Sequence, residues 1–137
     1  MKFVTALILS CVLAGCGARS SDEQQVRELV DDMENAAEHR DASDVLEFIG
    51  DDYEDANGFD KSQLQNFLRA WFLSHPKIEL IVSIESLEFP ADGVAQAEIT
   101  VTNVDLGNPE RETFKVEFRR RDGDWRVSRA DRQARRG

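Results

Sequence analysis

Cysteine is scarce in this chain, with two among 137 residues, Cys11 and Cys16, which excludes a fold held together by a disulfide framework. Three Pro and eight Gly exclude a collagen-like chain, and no sustained heptad pattern marks a coiled coil. Basic residues are outnumbered, 17 Lys+Arg against 27 Asp+Glu for a formal net charge of −10. Non-specific nucleic-acid binding therefore lacks the phosphate-neutralising charge it requires. What is present is 41% hydrophobic residues, including eight Phe and two Trp, enough to build the core of one domain despite the charge.

The apolar run Phe3–Leu13, broken only by Thr5 and Ser10, follows Met1-Lys2 and precedes the small residues Ala14-Gly15. As a helix it would rise only about 16 Å, roughly half the hydrocarbon thickness of a bilayer, so it reads as a secretory signal rather than a transmembrane span. Leu13-Ala14-Gly15-Cys16 resembles the lipobox of bacterial lipoproteins. That resemblance implies a diacylglycerol on the Cys16 thiol, cleavage before Cys16 and acylation of the new amino group. One acyl chain holds a protein marginally and two or more hold it stably, at about 0.8 kcal/mol per buried methylene. Gly17 stands where an Asp would resemble an inner-membrane retention signal, so the pattern implies the outer membrane of a bacterial envelope, facing the periplasm. The expected organisation is a signal peptide over 1–15, lipidated Cys16 and a tether over 16–21, a globular domain over 22–131 and a basic tail over 132–137.

Ser21 with Gln24 has the spacing of a capping box, and Val26, Leu29, Val30, Met33, Ala36 and Ala37 then recur at helical period. Asp41 starts a second, shorter helix, with Gly50 as its expected stop. Asp60, with Gln63 three residues on, caps a third, which ends before Pro76. The period then changes from 3.6 to 2. Ile78, Leu80, Val82 and Ile84 alternate on even positions, but Leu87 and Phe89 on odd ones, which predicts a β-bulge near Ser86. Pro90–Gly93 reads as a turn, Ala95–Val101 as a strand, Leu106–Pro109 as a loop and Phe114–Phe118 as a strand. Asp122-Gly123 is a strong hairpin signal leading into Trp125 and Val127. The fold class expected is α+β, three N-terminal helices packed on a curved antiparallel sheet.

This order of elements, with Asp52-Tyr53-Glu54-Asp55-Ala56-Asn57-Gly58 before the third helix and Asp122-Gly123-Asp124-Trp125-Arg126-Val127 at the end, resembles the nuclear transport factor 2-like superfamily. The resemblance implies a cone-shaped domain with an internal pocket and, in many members, a homodimer formed through the outer face of the sheet. The superfamily contains isomerases and dehydratases as well as non-catalytic binding modules, so the fold does not give the function.

Candidate chemistry is sparse. Tyr53 and Asp55, two apart, share a side if the backbone is extended, and in an apolar pocket could serve as phenolic hydrogen-bond donor and carboxylate base. The remainder of an isomerase site is missing: the expected inner face of the sheet (Ala95, Ala97, Ile99, Val101, Phe114, Val116 and Phe118) carries no acid. Asp55, Asn57 and Gly58 match positions 3, 5 and 6 of a calcium loop, but Tyr53 and Leu64 fall where its first and last carboxylates belong. His39 and His75 have no ligand partner near them in sequence, so no metal site is expected, and no cofactor fingerprint is present. His39 at a helix end can instead engage the last carbonyls. Trp71, Phe72, Phe114, Phe118 and Trp125 could line a ligand cavity or simply fill the core. Arg120 could meet an acidic ligand at the pocket mouth or form an edge salt bridge. Tyr53, Asp55, Trp71, Phe118 and Arg120 are thus the candidate pocket residues.

Charge is segregated: residues 22–55 hold fourteen acids and two Arg, and residues 119–137 hold eight Arg and three Asp. A basic last strand lying on acidic helices and a tail contacting anionic envelope material both fit this pattern. Two functions are left standing. One is a membrane-anchored lipoprotein whose non-catalytic domain binds a small molecule or an envelope protein, with no nucleic acid involved. The other is a small isomerase or hydratase using Asp55 as general base and Tyr53 as hydrogen-bond donor.

Overall fold

A computed structural model describes residues 17–105 and 109–134. The leader, the lipobox, most of the Leu106–Pro109 loop and the last three residues of the tail lie outside the described residues. No described helix is long and apolar enough to cross a membrane.

Three helices precede four strands: α1 (Gly17–Glu38), α2 (Ala42–Glu47), α3 (Lys61–Ser74), β1 (Leu80–Ala91), β2 (Val94–Asn103), β3 (Glu110–Arg121) and β4 (Asp124–Arg132). The strands form one antiparallel sheet in the order β1-β2-β3-β4, so the expected α+β architecture holds. Helix α1 begins earlier than expected, and Gly17–Ser20, read as a tether, is its first turn. Ser21 is then inside the helix, accepting a 3.4 Å bond from Gln25 Nε2 rather than capping it. A capping signal is a local term of about 1 kcal/mol, and Ala18 and Arg19 are strong helix formers that let the helix run past it.

The other caps follow the sequence. Asp41 accepts from the Asp44 amide at the start of α2, and Asp60 and Gln63 form a complete capping box on α3. Helix α2 ends at Phe48 rather than at Gly50, because the chain is captured by the sheet. Val127 N donates to Phe48 O (2.8 Å), Gly50 N to Val127 O (2.9 Å) and Glu54 N to Ser128 O (3.2 Å). This covers the free edge of β4, where unpaired backbone groups would otherwise invite aggregation.

The register slips between Ile84 and Ser86, at the point where hydrophobic parity changes, so that Val82, Ile84 and Leu87 all pair with inner-face residues of β2 (Val101, Ile99, Ala97). Further slips lie between Glu88 and Ala91 in the β1–β2 pairing and between Glu117 and Phe118 in the β3–β4 pairing. Bulges increase local twist and curvature, and the sheet curves around the helices. Its inner face meets Val26, Leu29 and Val30 of α1 and Leu46 of α2 in the main core, together with Ala95, Ala97, Ile99, Val116, Phe118, Trp125 and Val127. A smaller cluster of Ala36, Val45, Phe72 and Ile78 closes the end where α1 and α3 finish. The expected turn over Pro90–Gly93 is shorter than its sequence suggests, since β1 continues through Pro90 and Ala91 to pair with Val94. At the other hairpin Asp122 (φ 53°) and Gly123 (φ 84°) are both left-handed, as a two-residue turn matching strand twist requires.

Candidate functional site

The α2–α3 loop brings Tyr53 and Asp55 together. Tyr53 is buried at 4% exposure because the loop is pinned to β4 on both sides of it. Its hydroxyl donates to Asp55 Oδ2 at 3.2 Å and lies 3.5 Å from Ala130 O. Burial, followed by the adjacent Asp55 carboxylate, pushes the phenol pKa well above its ordinary value, so the ring stays neutral and can only donate or accept hydrogen bonds.

Asp55 organises the loop around it. Its Oδ1 accepts from Asn57 N (2.9 Å) and Phe59 N (3.1 Å), its own amide donates to Phe59 O (3.1 Å), and its carbonyl accepts from Gly58 N (3.0 Å). These are the local bonds by which an aspartate fixes a turn. Both oxygens of the carboxylate thus accept bonds from the protein itself, two on Oδ1 and one on Oδ2.

Asp131, not singled out by the sequence reading, completes the cluster. It accepts from Ala56 N at 2.7 Å and pairs with Arg129. Burial works against its charged form, but the Ala56 N–H and the Arg129 guanidinium outweigh it and hold the carboxyl below the usual range. The nearest sequence signal is the odd parity it shares with Arg129 on the outer face, which does not reveal a partner 75 residues away.

Glu112 corrects the expectation of an inner face without an acid. It pairs with Val101 in the β2–β3 register, which places it on the side of Phe114 and Val116. Its Oε1 stands 3.6 Å from Arg132 Nη1. Alternation extended two residues back from Phe114 would have found it. It lies at the end of the sheet, ion-paired, not at the centre of an apolar pocket.

The remaining candidates separate. Phe118 is fully buried in the main core. Trp71 packs beside the smaller cluster, its ring stacked on His75 at 4.3 Å. Arg120 donates to Asp22 of α1 (2.8 Å) and to Asp92 of the β1–β2 turn (2.9 Å), with its guanidinium 5.5 Å from the Trp125 ring centre. Both histidines cap helix ends, His39 Nδ1 against Asn35 O (2.7 Å) and His75 Nδ1 against Trp71 O (2.8 Å).

An open cleft of about 510 Å³ lies where the α2–α3 loop meets the β3–β4 turn, lined by Gly50, Asp51, Asp52, Lys61, Arg121 and Arg126 among others. Lys61 bridges to Asp51 (3.0 Å) and Arg121 to Asp52 (2.8 Å). The cleft walls carry charges of both signs.

No protein-family model and no curated protein sequence matches the chain. Solved structures do resemble it. A cystatin-like-fold protein of unknown function from Nostoc punctiforme superposes with a TM-score of 0.70 at 17% identity, over 86% of this chain and 94% of that one. A nuclear transport factor 2-like protein of unknown function from Shewanella oneidensis gives 0.68 at 14% identity, over 82% and 99%. A candidate scytalone dehydratase from Novosphingobium aromaticivorans gives 0.71 at 11% identity, over 84% and 85%. At these identities the likeness shows the fold: the chain adopts a nuclear transport factor 2-like, cystatin-like fold, which carries proteins of unknown function and dehydratase-type enzymes alike.

Proposed function

We propose that the chain is a bacterial envelope lipoprotein, acylated at Cys16, whose nuclear transport factor 2-like domain is a non-catalytic module binding a small molecule or a protein partner at the membrane. The anchor rests on Leu13-Ala14-Gly15-Cys16 behind an apolar leader, with Gly17 favouring the outer membrane and the periplasmic side. The non-catalytic reading is carried by one observation. The pair with the composition of a general base and its donor, Asp55 and Tyr53, is engaged in bracing its own loop, with two backbone amides and the phenol on the carboxylate. A general base needs a lone pair within hydrogen-bond reach of the substrate proton. Three of the roughly four acceptor sites of this carboxylate hold the loop, and the one left, on Oδ2, lies beside the Tyr53 phenol that already donates to that oxygen. The charged cleft beside this loop is the surface we assign to the ligand.

Mass spectrometry of the protein purified from its own membranes tests the anchor: a polypeptide starting at Cys16 and carrying acyl mass is expected, and a bare thiol or an intact leader overturns it. Asp55→Asn tests the binding reading. Should a substrate be found whose turnover is abolished by that change in a folded protein, the enzyme reading replaces it.

A further inference from the structure

We infer that the outer edge of β1 is a docking strand for an extended protein segment in which apolar and basic residues alternate. This surface is separate from the charged cleft, and the inference does not depend on Cys16.

The fold treats the two edges of its sheet differently. The edge of β4 is covered by the chain from Phe48 to Glu54. Strand β1, at the other end of the order β1-β2-β3-β4, has no backbone partner on its outer side among the described residues. Two bonds fix the direction of its main-chain groups. Glu79 O accepts from Val104 N on the β2 side, and Leu80 N, one residue on, points the other way and donates to Glu38 Oε2. Bonding direction alternates along an antiparallel strand, so the amides and carbonyls of Val82 and Ile84 also point outward, and no described residue bonds them.

Side-chain exposure agrees with an uncovered edge. Val82, Ile84 and Leu87 pair with Val101, Ile99 and Ala97 on the inner face, yet all three are only half-buried, whereas Ile99 and Ala97 are buried. Apolar residues of an added strand, placed directly opposite Val82 and Ile84, extend this inner face by one row.

Charge selects the kind of strand. Between Lys77 and Arg111 the chain has seven acids and no base. Asp92 and Asp105 are ion-paired, but the exposed Glu79, Glu85 and Glu88 have no ion-pair partner among the described residues. A second copy is a poor occupant for this reason. Antiparallel pairing of β1 with itself about Val82 sets Glu79 opposite Glu85 of the other copy at both ends, and like charges directly opposite are destabilising. Acids and a bulge on an edge strand guard it against indiscriminate pairing. A basic segment turns the same acids from a barrier into contacts, so that main-chain bonds supply affinity and charge supplies selection.

The test uses the full isotope-labelled chain in non-ionic detergent micelles, with capped peptides that alternate Val with Lys or Val with Glu. Backbone amide exchange is read by nuclear magnetic resonance. The Val/Lys peptide is expected to slow exchange at Val82 and Ile84 severalfold and to leave α3 unaffected, and the Val/Glu peptide to change neither. A Val/Lys peptide N-methylated at its Val residues keeps the charge, loses the donors that face β1, and should not slow exchange. Equal slowing by the methylated peptide, or none by the unmodified one, overturns the docking strand. Slowing without peptide that grows with protein concentration assigns the edge to a second copy and overturns it as well. Glu85→Lys combined with Glu88→Lys should shift the preference to the Val/Glu peptide; an undiminished preference for Val/Lys overturns the selection by charge.

Discussion

The Tyr53 hydroxyl donates to Asp55 Oδ2 at 3.2 Å from a ring that is 4% exposed, while Asp55 holds two amides of its own loop. One hydrogen bond thus connects the buried core to the loop that covers the edge of β4. Because the chain contains a single tyrosine, its ionisation can be followed by ultraviolet absorbance with no interference from another phenol. The folded pKa is raised above the ordinary value of about 10. Below that value the phenol is neutral in both folded and unfolded chains and stability is unaffected. As pH rises through it, the unfolded chain loses its proton first and stability falls. Phenolate absorbance is therefore expected only together with loss of near-ultraviolet circular dichroism, and Tyr53→Phe should weaken the alkaline decline. Phenolate formation near pH 10 in a chain that remains folded would contradict the buried hydrogen bond.

Asp131 acts at the opposite end of the pH scale. Its folded pKa is depressed, so it contributes stability above the ordinary carboxylate value of about 3.9, and that contribution is lost as pH falls through the lower folded value. Asp131→Asn should be less stable than the parent at neutral pH, with the gap closing in acid. Denaturant midpoints taken across this range check the sign. A gap that widens on acidification would mean that Ala56 N and Arg129 do not favour the charged form.

Phe118 carries more of the fold than any polar residue discussed so far. It has no exposed surface and pairs with Ala95 on one side and Val127 on the other, so the small Ala95 is matched to the large ring. Phe118→Ala should cost about 3–5 kcal/mol, a large share of the 5–15 kcal/mol typical of a whole domain. A denaturant midpoint lowered without a change in slope would report this loss. A cost under about 1 kcal/mol would mean that the site collapses or is lined by movable groups, as a ligand cavity beside Phe118 would be.

These residues also show where sequence reasoning reaches its limit. The capping box at Asp60 and Gln63, the bulge between Ile84 and Ser86, and the left-handed turn at Asp122-Gly123 were legible because each is decided within a few residues by cap chemistry, parity or backbone sterics. Tyr53 and Asp55 were legible as a pair for the same reason. What they bind was not. The partners of that loop come from β4, through Ser128, Ala130 and Asp131, and nothing local in either segment records the pairing. The end of α2 was misplaced for the same cause, since Gly50 looks like a helix stop until Val127 is beside it. Glu112 was missed for a different reason: strand alternation was stopped at the last apolar residue, although the register continues into charged positions at the end of the sheet.

Arg120 is where local and long-range information meet, and it yields the last prediction. Its parity with Phe118 places it on the inner face, but only the folded chain brings Asp22, Asp92 and the Trp125 ring around one guanidinium. Asp92 is almost fully exposed, so its pair is screened by solvent and weak. The bond to Asp22 is better sheltered and ties the start of α1 to the sheet. Arg120→Met keeps an unbranched apolar stem over Trp125 and removes both ion pairs. Global stability should change little, while amide hydrogen exchange should accelerate in the first turns of α1 and remain slow in β2, because opening of the helix end is a local event. Arg120→Lys should restore protection only in part, since one ammonium cannot reproduce the forked geometry that reaches two carboxylates at once. Unchanged exchange at the start of α1 in Arg120→Met would show that core packing through Val26 and Leu29 alone holds the helix in place, and that the hairpin turns and the helix end are not mechanically joined.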